Sequence, residues 1–183
     1  CLDGEGFVEG LQLADEVIRG IGADPACVDV GGGFPGEYTN SMGQEMGSYF
    51  SAIRAGLSDL SLPEGCRVMC EPGRALVAAA CSLVVQVLLR KGDAVYINDG
   101  VYHSLAETVT GGLKPPVRLI RPNRPEIREF SDFTIYGPTC DNTDCLPYRL
   151  PMPVDTVEGD WLEIGQMGAY SNAQVSHFYG FHP

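Results

Sequence analysis

Basic residues are scarce in this chain: 12 Lys and Arg stand against 24 Asp and Glu, and the only lysines are Lys91 and Lys114. A net charge of −12 excludes the basic footprint from which nucleic-acid recognition starts. It favours cationic small molecules through long-range steering, and it serves solubility in either case. Long hydrophobic runs are missing too. The longest, Ala75 to Leu89, is interrupted by Ser82 and Gln86 and falls short of the roughly 20 residues that span a bilayer. No signal-peptide pattern opens the sequence. The seven cysteines form no evenly spaced framework, which points to reduced thiols and a cytoplasmic enzyme rather than a stapled secreted domain. The chain opens at Cys1 and runs directly into a helical pattern, as a piece cut from something longer would.

What is present divides into two textures. Phe7, Leu11, Ala14 and Ile18 fall at helical spacing, and the helix they predict ends near Gly20 and Gly22. Cys27 to Val30 is a short apolar run stopped by three glycines, as a buried strand would be. Met46, Phe50, Ile53, Leu57 and Leu60 make a second helical stripe, and Cys66 to Cys70 a second strand. Helix, strand, helix, strand is the order of a parallel α/β unit. After residue 75 the texture becomes that of short strands and long loops. Cys81–Leu89, Ala94–Asn98 and Val117–Ile120 read as strands, and Pro-rich stretches at 114–116, 122–125 and 147–153 punctuate the rest. The expected division is therefore residues 1–78 and 79–183.

Two segments carry chemistry on their own evidence. Gly31-Gly32-Gly33-Phe34-Pro35-Gly36 follows directly on a predicted strand. Glycines there let the backbone approach a ligand and offer unhindered N–H groups, which is how loops cradle phosphate. The pattern is neither GxGxxG nor a P-loop, and tight-turn glycines without a ligand would look the same. Glu71-Pro72-Gly73-Arg74 ends the next predicted strand, and ends of parallel strands share one catalytic face. An arginine there suits bidentate phosphate binding and a glutamate suits a protonated ring nitrogen. An ordinary ion pair between Glu71 and Arg74 is the alternative. The cysteine pairs Cys140/Cys145 and Cys66/Cys70 lack the spacing of structural zinc sites, and no metal is expected.

Taken together, Val28 to Gly36 and Glu71 to Arg74 resemble the barrel of the fold-type III, alanine-racemase-like decarboxylases that use pyridoxal 5′-phosphate (PLP). Asn98-Asp99-Gly100-Val101-Tyr102, Gly137-Pro138-Thr139-Cys140-Asp141, Gly159-Asp160-Trp161 and Gly168-Ala169-Tyr170 resemble the same family's C-terminal β-domain, in its order and near its spacing. Within the ornithine, diaminopimelate and arginine decarboxylases, Cys140-Asp141-Asn142 is most similar to the ornithine branch. The resemblance implies the C-terminal part of a (β/α)8 PLP-binding barrel, then a Greek-key-like β-domain with a final active-site helix. It implies that Gly31, Gly32, Gly33, Arg74 and Tyr170 bind the cofactor phosphate and that Glu71 keeps the pyridine nitrogen protonated. Cys140 would return a proton to the carbon that loses CO2, and Asp141 would contact the distal amine of the substrate. In the family the last two come from the opposite subunit, so a homodimer with shared active sites is implied.

The chain departs from that pattern twice. Neither Lys91 nor Lys114 lies in a context like that of the family's cofactor lysine, which places that lysine on a missing N-terminal half. The aromatic-Asp pair that grips the side-chain amine in ornithine-specific relatives is absent from Leu105 to Gly112, where Glu107 is the one carboxylate. The expected function is decarboxylation of an ornithine- or lysine-like amino acid, of the polyamine type. The alternative is a non-catalytic homologue acting as a binding or regulatory protein.

Overall fold

A computed structural model of the chain describes residues 4–40, 45–121 and 128–181. Cys1 and the prolines at 122–125 lie outside the described residues. The chain forms two compact units, Cys1–Glu37 with Met42–Leu76 and Tyr38–Ser41 with Val77–Pro183.

The first unit is α/β. Helix α1 (Glu5–Ile21) buries Phe7 and Leu11 and stops at Gly22, whose φ of 62° is the left-handed cap that glycine tolerates. Strands β1 (Cys27–Asp29) and β2 (Arg67–Met69) pair in parallel, Val28 opposite Val68. Helix α2 (Met46–Asp59) connects them. Its buried residues are Tyr49, Ile53 and Gly56, whereas Phe50 is exposed. Met46, Ile53 and Leu57 of the expected stripe do pack on this core, and the buried face extends from them to Tyr49 and Gly56; a Cβ at Gly56 would stand 2.7 Å from Leu11 Cδ1. A glycine that reads as a helix weakener is where α1 comes closest. A second row on α1, Leu13, Val17 and Ile21, remains 63, 60 and 74% exposed.

The second unit is a six-stranded mixed sheet. Its strands are β3 (Leu83–Lys91), β4 (Ala94–Ile97), β5 (Val117–Ile120), β6 (Phe130–Tyr136), β7 (Leu150–Pro153) and β8 (Trp161–Ile164), in the order β5-β8-β3-β4-β6-β7. Short helices α3 (Arg74–Val77) and α4 (Glu107–Thr110) precede β3 and β5. The β3–β4 hairpin turns at Gly92, with φ of 61°, while β4 and β6 pair in parallel. Alternation sets the core: Val85, Val87, Val95, Ile97, Phe133, Ile135, Leu162 and Ile164 point inward and are nearly inaccessible. The same alternation turns Trp161 outward, where it is 39% exposed. Arg121 holds Asp155 and Asp160 at 2.7 and 2.9 Å from a 6% exposed side chain, pinning the turn that carries Gly159.

Three features differ from expectation. β6, β7 and β8 are strands that the sequence patterning does not single out. β7 is Leu-Pro-Met-Pro, read as loop punctuation, yet it forms the last strand of the sheet. Val154 donates to the Glu129 carbonyl, so by alternation the positions of Pro151 and Pro153 face away from β6 and cost the ladder no bond. Finally, 3-10 turns at Ser171–Ala173 and Phe178–Gly180 stand where a closing helix is expected.

Candidate functional site

In the α/β unit, the ends of β1 and β2 bring the glycine loop beside Glu71. The parallel register continues past both strands: Val30 donates to Met69, and the Glu71 amide donates 2.9 Å to the Gly31 carbonyl. Gly31 (φ 74°) and Gly33 (φ 87°) take left-handed backbone. A Cβ at Gly32 would lie 3.0 Å from the Glu71 carbonyl oxygen. The loop is anchored by Phe34, buried with Phe7, Tyr49 and Ile53 and with its ring 5.3 Å from that of Phe7. The Gly31 amide is used internally, donating 2.8 Å to Asp29 Oδ1. The amides of Gly32 and Gly33 donate to no acceptor among the described residues. Two adjacent free N–H groups in a glycine turn are a nest for an anion. That fits the phosphate of PLP, with half-buried Arg74 opening α3 three residues after Glu71.

In the sheet unit, the loop after β4 and the loop after β6 meet. Asn98 Oδ1 accepts the Gln86 amide at 2.7 Å. Asp99 turns inward, 3% exposed, and its Oδ1 accepts the amides of Gly100 and Ser104 at 2.6 and 3.0 Å. Burial pushes its carboxyl above the usual range, partly offset by the Ser104 hydroxyl and by those two amides. This turn presents Tyr102, whose hydroxyl donates 2.7 Å to Asp141 Oδ2. The other carboxylate oxygen, Oδ1, receives the Thr143 amide at 2.9 Å and its hydroxyl at 2.8 Å. The Thr143 amide, then the Tyr102 hydroxyl, hold Asp141 below the ordinary carboxylate range. It is therefore an oriented, half-exposed carboxylate.

Cys140 is exposed beside it, and the Tyr179 phenol is pushed upward, chiefly by its hydrogen bond to the Cys140 thiol. The C-terminal segment reaches this point because Ser176 bonds the Tyr102 carbonyl through amide and hydroxyl, while the Phe178 ring lies 4.2 Å from that of Tyr102. Thr143, Phe178 and Tyr179 carry no signal of their own in the sequence, and Tyr102 only that of the segment it closes. The hydrogen bonds and ring contacts that join Tyr102 to Thr143 and to Phe178 bridge about forty residues or more. Glu107 is half-buried at the start of α4, and its carboxylate accepts the Tyr170 amide and the Gln174 side chain, both at 3.3 Å. It is tied to the Tyr170 backbone rather than standing clear for a ligand. The chain brings Cys140 to Asp141 in one loop, and Gly31 to Gly33 to Glu71 in another place.

Comparison with known proteins gives a consistent result. Residues 15–168 match the C-terminal sheet domain of the pyridoxal-dependent decarboxylases. Ornithine decarboxylase of Cricetulus griseus is 34% identical over 201 residues, covering 99% of this chain and 43% of that protein. Antizyme inhibitor 2 of Xenopus laevis is 31% identical, with 99 and 43% covered. The crystal structure of lysine/ornithine decarboxylase from Vibrio vulnificus, complexed with cadaverine, superposes with a TM-score of 0.84. It is 27% identical and covers 100% of this chain and 50% of that one. The chain spans about half the length of these relatives.

Proposed function

This chain belongs to the pyridoxal-dependent decarboxylases, and we propose that it is the C-terminal half of an enzyme that decarboxylates a basic amino acid of the ornithine or lysine kind. The cofactor lysine is then carried by an N-terminal half, in a cytoplasmic homodimer. Bound PLP supplies the electron sink for loss of CO2. The residues of this chain contribute the following. The Gly32 and Gly33 amides, shaped by Gly31, receive the phosphate together with Arg74 and Tyr170. Glu71 keeps the pyridine nitrogen protonated. Asp141 holds the distal ammonium, and Cys140 delivers a proton to the substrate carbon after CO2 leaves.

The observation that carries the substrate class is the Asp141 carboxylate. Three donors orient it and leave acceptor capacity on an accessible side. A fixed anion of this kind favours an ammonium-bearing substrate and disfavours an aliphatic one. Names of the relatives support the same class. Their range, from ornithine to lysine/ornithine decarboxylases, leaves the choice between the two amines to measurement.

A second reading, a non-catalytic binding protein, is favoured by the similarity to antizyme inhibitor 2. One experiment separates the two. The full-length protein is purified and tested for borohydride-sensitive PLP absorbance and for CO2 release from ornithine and lysine. Cys140→Ala should lower product formation about a hundredfold, or divert the proton, with PLP affinity retained. Arg74→Ala should weaken PLP affinity about tenfold or more. A full-length protein that binds no PLP and releases no CO2 would leave the binding role as the function.

A further inference from the structure

Two segments that carry the functional reading, Asn98–Tyr102 and Gly137–Asp141, close on a side chain that belongs to neither. Asp144 is 1% exposed. Its Oδ1 accepts the Val101 amide at 2.9 Å, and its Oδ2 accepts the Thr139 amide at 3.1 Å and the Thr139 hydroxyl at 2.8 Å. Its backbone closes the same loop: the Asp144 amide donates 3.0 Å to the Asp141 carbonyl, and its carbonyl receives the Gly137 amide at 2.8 Å.

The two loops leave room for this carboxylate and nothing more. A Cβ built on Gly100 or on Gly137 would stand 2.2 Å from an Asp144 carboxylate oxygen. Each of those glycines stands in a different motif, and one side chain accounts for both. Removing a buried carboxylate with three donors strands all three donors, the costly kind of loss.

We propose that Asp144 is the positioning residue of the site: it locks the loop bearing Cys140 and Asp141 to the loop bearing Tyr102, so that the Tyr102 hydroxyl meets the Asp141 carboxylate. The inference rests on the reading of Cys140 and Asp141 as substrate-handling residues. Asp144 touches neither substrate nor cofactor in that reading. It acts through Thr139 and Val101 on the residues that do.

The test uses the full-length protein with PLP and three variants. Asp144→Asn keeps the size and one acceptor but turns an NH2 group toward the Thr139 amide. Thr139→Val removes one hydroxyl donor, and Thr139→Ser keeps it. Asp144→Asn should lower kcat/KM for ornithine or lysine about tenfold, chiefly through KM, with PLP affinity within about twofold of the parent. Thr139→Val should show a smaller loss in the same direction, which Thr139→Ser restores. Independently of turnover, NMR titration should show the Asp141 carboxyl rising toward its ordinary range in Asp144→Asn as the Tyr102 contact loosens. An unmoved Asp141 titration overturns the lock, whatever the activity. A moved titration with unchanged KM and kcat overturns its functional role. Loss of PLP affinity in parallel with KM identifies general destabilisation and also overturns it. A parent without CO2 release defeats the decarboxylase reading instead, while the Asp141 titration still decides whether the lock exists.

Discussion

Tyr148 is half-buried in the sheet unit and its hydroxyl has no hydrogen-bond partner among the described residues; burial pushes it from an ordinary value of 10.0 up to about 12. The folded state therefore keeps a proton that the unfolded chain releases between about pH 10 and 12. Stability from this group is complete below that window and declines as pH rises through it. Tyr148→Phe should abolish that alkaline decline. At neutral pH it should be neutral or stabilising by up to about 1 kcal/mol, since an unsatisfied hydroxyl is removed. Urea midpoints of parent and variant across pH 8 to 12 check this (roughly the window set by the shift), and identical slopes would contradict it. At this scale the sequence displays what is chemically unusual in a row, the glycines at 31–33 or the adjacent Cys140 and Asp141. It hides Asp144 and Tyr179, because an aspartate or tyrosine in a polar loop reads the same whether it is solvated or bonded to a residue about forty positions away.

Among the elements, the densest approach is at Gly168. Its amide donates 2.9 Å to the Ala78 carbonyl, and a Cβ there would fall inside the Val77 carbonyl. Gly168→Ala should cost about 3 kcal/mol, because backbone rather than a flexible side chain must move. Gly92→Ala in the β3–β4 turn faces open space and should cost about 1–2 kcal/mol, from its positive φ alone. Urea unfolding of the two variants checks the order, and a reversal would count against the close packing. β3, β4 and β5 were legible because branched residues cluster there between turn residues. β6 to β8 were not, since each draws its strand character from neighbours in the sheet. On α2 the stripe was legible through Met46, Ile53 and Leu57, which pack on the core, and not through Gly56, which has no hydrophobicity to mark the face on which a neighbouring helix rests.

At the scale of the molecule, the two units differ in how far they bury their own apolar surface. The sheet unit encloses a cluster from Val85 to Ile164. The α/β unit buries Phe7, Phe34, Tyr49 and Ile53 while Leu13, Val17, Ile21, Val68, Met69 and Leu76 remain at least 50% exposed. In residues 1–183 alone, amides of α1 and α2 should exchange with solvent about a hundredfold faster than those of β3 and β8. Adding the proposed N-terminal half should slow them selectively. Equal protection in both units without it would show that the α/β unit is self-sufficient. The sequence changes texture near residue 75, and the two units divide between Leu76 and Val77. The inclusion of Tyr38–Ser41 in the sheet unit was not legible, because it rests on Thr39 and Asn40 bonding to Lys114 and Gly112. The last strand of that sheet has a consequence beyond the fold. A foreign strand laid along β7 would find no amide hydrogen at 151 or 153, since both outward positions are proline. That rim is a dead end for strand addition, so filament growth from one molecule to the next is blocked there by two residues that take no part in chemistry.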